Sequence, residues 1–273
     1  MKLIESKVEV IEQQPGLEGV YKQIELAGRT CYKSEDKITE DSAKAFVDRM
    51  IGSKHGAMLE HGTVYLTAYD NYAEDLLKYQ TNKYSKCKSY TEYLEDGKSI
   101  KVCVTTNLRV LVENNWLDDL KYIGVPTELH EKRITARFTC DRGVSHEIVR
   151  HRVMSFAQES TRYCNYSKDK FDCELTFIKP SWYDKTLENK HGGFEKFLED
   201  AQSLYISLLD QGYLPQEARA CLPNALKTEI VVTGFESDWE HFFSLRSPKY
   251  GAQGVHPDMA KLADELYEKV KQC

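Results

Sequence analysis

Apolar and polar positions divide the 273-residue chain into short alternating stretches and longer stretches of helical spacing. Residues 1 to 13 read as an opening strand, with Leu3, Val8, Val10 and Ile11 set among charges. Residues 17 to 28 have the spacing of a helix, and Gly28-Arg29-Thr30-Cys31-Tyr32 reads as the polar turn that ends it. A second helix is predicted from a cap at Thr39 or Asp41, through Phe46, Val47, Met50 and Ile51 on one face, to a stop at Gly52. Thr63 to Tyr69 and Ile134 to Cys140 alternate as strands do, and Thr228 to Thr233 reads as a buried strand. Asp141-Arg142-Gly143 forms a turn into a helical segment, with Ser145 as a plausible cap and Val144, Ile148 and Val149 on one side. Phe194, Phe197, Leu198, Ala201, Leu204, Tyr205, Leu208 and Leu209 define a long core or subunit-interface helix that Gly212 ends. A short helix lies between Pro215 and Pro223, and Ser237 with Glu240 fits a capping box that opens the next. Pro257 opens a closing amphipathic helix with Met259, Leu262, Ala263, Leu266 and Val270 inward.

Composition narrows the class. Apolar residues make up 41 % and charged residues 29 % of the chain, as in a soluble globular protein. A formal charge of -6 gives no general attraction for nucleic acid or anionic membrane, so local basic clusters serve specific small anions. The first residues carry no long apolar run or cleavage pattern, and no window approaches the roughly twenty apolar residues needed to span a bilayer. A cytoplasmic location is therefore expected. Eight cysteines form no Cys-x-x-Cys pair, and the nearest two, Cys164 and Cys173, are nine apart; reduced, packed thiols are expected rather than a zinc framework.

Chemistry concentrates in Arg150 to Tyr163, which gathers three arginines, a histidine and two serines within fourteen residues. Arginine grips a phosphate or an imide carbonyl in two places, and histidine changes its protonation near neutral pH. Such a set suits an anionic, planar, hydrogen-bond-rich ligand such as a nucleotide. An Arg-His-Arg triplet alone is more often a solvated helix face, so the longer pattern decides. Arg150-His151-Arg152, seven residues, Ser160, one residue and Arg162-Tyr163 resembles the signature of the flavin-dependent thymidylate synthases.

Three further motifs follow the order of that family. His55, Glu60 and His61 match a motif that precedes a strand, with Ala57 standing where the family usually has a hydroxyl. Their spacing is not His-Glu-x-x-His, and no metal is expected. Ala218-Arg219 with Leu222-Pro223 resembles the family's Ala-Arg-x-x-Leu-Pro, and Phe242 to Arg246 its closing motif. In compact members the strand after the Glu-His motif passes almost directly to the next strand. Asp70 to about Lys132 is therefore an expected insertion of mainly helical structure on the rim, with an amphipathic piece around Leu108, Leu111, Val112 and Leu117. The expected whole is α+β: a mixed β-sheet packed with helices, one domain over 1–273 with an insertion at about 70–132.

The resemblance implies methylation of dUMP to dTMP, part of de novo dTMP synthesis, with methylenetetrahydrofolate as one-carbon donor, FAD as hydride source and NADPH as its reductant. It implies dUMP contacts at Glu147, Arg150, Gln158, Ser160, Arg162, Arg219 and Arg246, and FAD contacts at His55, Arg150, His151, Arg152, Gln158 and His241. Arg246 is the expected catalytic residue, a guanidinium that stabilises negative charge developing at uracil N3 and its flanking carbonyls. His151 and Arg152 are the expected cations beside an anionic reduced flavin. No covalent enzyme nucleophile is expected: Ser160 lacks an activating pair, and Cys164 is the one thiol near the signature. A homotetramer with sites shared between subunits is implied as well. Two rival readings remain open on sequence: a non-catalytic nucleotide or RNA binder whose arginines hold phosphates, and a different flavin enzyme on the same scaffold. The tyrosine and lysine run from Tyr79 to Tyr93 fits a solvated insertion face better than a polynucleotide platform.

Overall fold

The structure is a computed structural model and describes residues 1–94, 97–168, 171, 173–183 and 193–272. Nine strands are present among them: β1 (Lys2–Ile4), β2 (Lys7–Ile11), β3 (Thr63–Tyr69), β4 (Lys86–Leu94), β5 (Gly97–Asn107), β6 (Arg133–Asp141), β7 (Ser155–Gln158), β8 (Thr176–Ile178) and β9 (Lys227–Phe235). The α-helices are α1 (Gly16–Tyr32), α2 (Ser42–Gly52), α3 (Gly56–Leu59), α4 (Ala73–Leu76), α5 (Leu108–Glu113), α6 (Arg142–Ile148), α7 (Gly193–Asp210), α8 (Pro215–Ala218), α9 (Glu236–Arg246) and α10 (Pro257–Val270). The fold is α+β, as expected. A four-stranded sheet in the order β2-β6-β9-β7 and a three-stranded sheet in the order β3-β5-β4 are wholly antiparallel, and the parallel element is the β1–β8 pair.

The central sheet is covered on both faces because its strands alternate strictly. On β9, Ile230 and Val232 enter a core with Ala136, Phe138, α6, α9 and α10, whereas Val231 between them enters a core with α1, α2 and the three-stranded sheet. A third core joins α7 and α8 to β8 and to Cys164 and Tyr166. Each of the three β9 residues is completely buried.

Several expectations shift. The opening strand is two strands that diverge, β1 to β8 and β2 to β6. The first helix runs on through the predicted polar turn to Tyr32, because its polar residues are satisfied internally. Arg29 pairs with Glu25 one turn back at 2.9 Å, Thr30 Oγ1 donates to Leu26 O at 2.9 Å, and Lys33 closes the helix in the left-handed region at φ 46°.

The largest difference lies in residues 70–132. Short helical pieces are there, α5 among them, but the segment is built on the β4–β5 hairpin, and β5 is the central strand of its sheet. Val102 and Val104 are completely buried, and Leu108 and Leu111 join them in the core with α1 and α2. β5 and α5 are therefore interior, whereas β4 is the exposed edge of the sheet. No period marks the hairpin in the sequence, because β4 carries Lys86 and Lys88 on one face and Ser89 and Thr91 on the other, and because Cys103 between Val102 and Val104 makes β5 read as an apolar run. The tyrosine run divides: Tyr79 is buried with its hydroxyl on Asp119 at 2.8 Å, while Tyr90 and Tyr93 are exposed.

The packing of α1 on α2 depends on Gly28. A Cβ there would lie 2.3 Å from Phe46 Cζ, on a ring already flanked by Arg29 and Arg49. Gly28→Ala is expected to destabilise the protein by about 1–3 kcal/mol through overpacking, read as a lower midpoint in urea unfolding. An unchanged midpoint would contradict the packing.

Candidate active site

The pairing of β6 with β9 brings the chemistry together. α6 leaves the sheet at the Asp141 end of β6, and α9 leaves at the Phe235 end of β9, the opposite end of the same ladder. Both helices return across one face, so their C-terminal ends meet. Asp141, not Ser145, caps α6: its Oδ1 accepts from Val144 N at 2.9 Å. Ser145 instead donates to Arg142 O at 2.9 Å and accepts from Gln158 Nε2 at 2.8 Å. α9 likewise starts before the predicted box, with Asp238 accepting from Phe235 N at 3.0 Å.

Where the helices meet, Arg246 Nη1 lies 2.6 Å from Glu147 Oε2, and its Nε donates to His151 Nε2 at 3.1 Å. His151 is 6 % exposed, edge-on to Phe242 at 4.9 Å and 6.4 Å from the ring of His241. Burial, then the charge of Arg246, then His241, push its pKa down from 6.5 to about 4. His151 is therefore a neutral acceptor, which corrects the expectation of a cation beside flavin. Its imidazole and the Glu147 carboxylate hold the guanidinium plane. Four expected residues, Glu147, His151, His241 and Arg246, are thus gathered in one place. Arg150 and Arg152 are exposed, and neither has a side-chain partner among the described residues.

A second group surrounds the turn after β7. Arg219 Nη1 lies 3.3 Å from Thr161 Oγ1, and both line a cavity of about 250 Å³ with Arg142, His146 and Asn224. No carboxylate lines it. One terminal nitrogen of Arg142 is buried in the protein without a hydrogen-bond partner among the described residues. Two arginines, a threonine and an asparagine that line one space suit an anion. Sequence reasoning passed over Arg142 and Thr161. Arg142 sits in what reads as an ordinary turn, and its pairing in space with Arg219 has no local signal. Ser160 accepts from Arg162 N at 3.3 Å, while Arg162 Nε reaches Gln216 Oε1 at 3.1 Å and its guanidinium covers the Tyr163 ring. Gln158 is held from inside by Ser145 and by Thr228 Oγ1 at 3.2 Å.

A third group joins the early motif to the signature. His55 Nδ1 is 2.8 Å from Tyr32 OH, and the Tyr32 ring meets Tyr163 edge-on at 5.7 Å. Glu60 and His61 are structural, but they do not pair with each other. Glu60 binds Arg109 at 2.5 Å, and His61 is completely buried against Thr233 Oγ1 at 2.9 Å, its pKa pushed down to about 3 by burial and then by Arg133. Cys164 is buried in the third core. Among the described residues no cluster of His, Cys, Asp or Glu is placed to hold a metal ion, and no helix is long and apolar enough to cross a membrane.

The three groups thus bring together cations, hydroxyls and amides. Residues 75–273 match the family described as thymidylate synthase complementing protein, and the chain belongs to that family. The matched span takes in most of residues 70–132. Among curated relatives, the flavin-dependent thymidylate synthase of Pyrococcus furiosus is 36 % identical over 130 residues, 48 % of this chain and 52 % of that protein. The flavin-dependent thymidylate synthase of Geobacter sulfurreducens is 33 % identical over 157 residues, 57 % of this chain and 64 % of that protein. The chain therefore spans roughly half to just under two thirds of the length of these two relatives. A crystal structure of the UMP/dUMP methylase PolB from Streptomyces cacaoi bound with 5-Br dUMP aligns over 100 % of this chain and 93 % of that one, at 17 % identity and a TM-score of 0.47.

The neutral state of His151 has a consequence for stability. Unfolded, His151 takes up a proton near 6.5; folded, only near 4. Between these values the unfolded state holds more protons, so stability falls as pH drops from about 6.5 to about 4. His151→Gln is expected to remove up to about 1.4 kcal/mol per pH unit of that slope in urea titrations, leaving the contribution of His61 in place. Equal slopes in the two proteins would contradict a buried neutral His151.

Proposed function

We propose that the chain methylates dUMP to dTMP, taking the one-carbon unit from methylenetetrahydrofolate and a reducing hydride from FAD, with NADPH as the reductant. Membership of the family supports the class of reaction. The observation that carries it in this structure is the carboxylate-free cavity that Arg142, Arg219 and Thr161 line together. Those residues hold the phosphate, with Ser160 and Arg162 beside them toward the nucleotide.

Arg246 serves the reacting ring. Methyl transfer to uracil carbon 5 needs electron density pushed into the ring and negative charge stabilised at N3 and the adjacent carbonyls. A guanidinium that cannot give up its proton meets that need, and Glu147 and His151 orient it without reorganisation during the reaction. His151 accepts a hydrogen bond here and supplies no proton.

The donor set also fits a flavin. Arg150 and Arg152 are exposed without carboxylate partners among the described residues, and His241 is exposed beside neutral His151. Arginines of this kind suit the diphosphate of FAD and the carbonyl edge of its ring, with His55 and Gln158 completing the contacts. When bound, FAD supplies the hydride chemistry; the chain positions the pyrimidine and excludes water. The candidate residues fall in three groups on one chain, and we assign their union to a homotetramer in which subunits share sites. A cytoplasmic enzyme without a covalent nucleophile completes the reading, since Ser160 has no base beside it among the described residues and Cys164 is buried.

The test is anaerobic turnover with FAD, NADPH, dUMP and methylenetetrahydrofolate, following dTMP by chromatography as each component is left out. Formation of dTMP that requires all four is expected. Arg246→Ala is expected to lower turnover about 10²- to 10³-fold while flavin remains bound. Flavin-bound protein that oxidises NADPH without forming dTMP would contradict the proposal, as would wild-type turnover in Arg246→Ala.

A further inference from the structure

One acidic side chain of the signature is buried. Glu159 lies between Gln158 and Ser160, and its carboxylate turns into the protein, 3 % exposed. Tyr166 OH donates to Glu159 Oε1 at 2.8 Å, and Lys227 Nζ lies 3.0 Å from Oε2. Lys227 also lies 3.0 Å from Glu229 Oε1, two positions along β9 on the same side of the strand. Glu229 Oε2 takes Lys33 Nζ at 2.8 Å, and Lys33 reaches Glu35 Oε1 at 2.9 Å. Carboxylate and ammonium groups therefore alternate from just beyond α1, across the start of β9, to the signature.

The backbone follows the same route. Glu159 N donates to Glu229 O at 2.8 Å, and Ser160 N donates to Cys31 O at 3.0 Å, in the last turn of α1. The next residue of α1, Tyr32, meets Tyr163 edge-on at 5.7 Å. The turn that carries Ser160, Thr161 and Arg162 is thus held between α1 and β9 by a line of charges.

We propose that Glu159 is a positioning residue for nucleotide binding: through Lys227, Glu229 and Lys33 it fixes the Ser160–Tyr163 turn against the end of α1 and so aims Ser160, Thr161 and Arg162 at the nucleotide. This rests on the dUMP reading above. The line behaves as a unit. Burial alone would raise the Glu229 carboxyl, but Lys227 and Lys33 outweigh it and hold its pKa down at about 2. Removal of the Glu159 charge leaves Lys227 with Glu229 as its carboxylate, so the cation no longer ties the signature turn to β9. The turn then relaxes while the cavity's own donors remain intact.

The experiment measures dUMP affinity by calorimetry, and thermal midpoint, for flavin-loaded wild type, Glu159→Gln, Lys227→Gln and the double variant. Glu159→Gln keeps the size of the side chain and an acceptor for Tyr166 but removes the charge that faces Lys227. Each single variant is expected to weaken dUMP at least tenfold, and the double variant to weaken it by less than the product of the two, as coupled partners do. A purely structural role would lower the midpoint and leave the Kd of the folded protein unchanged. Wild type that binds dUMP, with folded Glu159→Gln binding it within twofold, overturns the positioning role and leaves the functional reading standing. Wild type that does not bind dUMP overturns both. Should Glu159→Gln fail to fold, Lys227→Gln decides between the same outcomes.

Discussion

Antiparallel pairing of β6 with β9 is the constraint on which the rest of the molecule depends. Nine residue pairs, from Arg133 with Phe235 to Asp141 with Lys227, set where α6 and α9 leave the sheet. Val144 and Ile148 of α6 and Trp239, Phe242 and Phe243 of α9 then pack over Phe138, Ile230 and Val232. That shared core carries Glu147 and His151 to within hydrogen-bond distance of Arg246. A slip of one residue would turn Ile230 and Val232 to the other face and bring Val231 into their place. Register, hydrophobic burial and the placing of one guanidinium are a single problem here.

The cations of the site differ in how they are neutralised. Arg246 is held by a carboxylate and by a histidine that burial keeps neutral. Arg142, Arg150, Arg152 and Arg219 have no carboxylate partner among the described residues, in a chain whose formal charge is -6. Local positive potential therefore arises from placement and not from composition. Carboxylates that could have quenched it are engaged elsewhere, Glu159 and Glu229 by Lys227 and Lys33, and Glu60 by Arg109.

Much of this was legible in the chain. Clean alternation revealed β3, β6 and β9, and helical spacing with proline and glycine punctuation revealed α2, α7 and α10. Residues whose chemistry lies in a contiguous motif, such as His151, or in a motif of the family, such as Arg246, could be named from sequence. What could not be read was set by tertiary contact. The β4–β5 hairpin has polar residues on both faces of its outer strand, so no period marks it. The C-terminal turn of α1 is supported by an i,i+4 pair, Glu25 with Arg29, that is present in the sequence but masked by the turn-like polar run from Gly28 to Tyr32. Arg142 gains its role from Arg219, far away in sequence. Sequence alone leaves His151 a cation, because its burial against Phe242 depends on how α9 folds back.

The most direct measurement is calorimetric titration of the flavin-loaded protein with dUMP and, separately, with deoxyuridine, which lacks the phosphate. If Arg142, Arg219 and Thr161 form a phosphate cradle, dUMP binds at least a hundredfold more tightly than deoxyuridine, and the difference narrows as salt rises. Equal affinity for the two, or no affinity for either, would contradict an enzyme organised around the phosphate of a pyrimidine nucleotide.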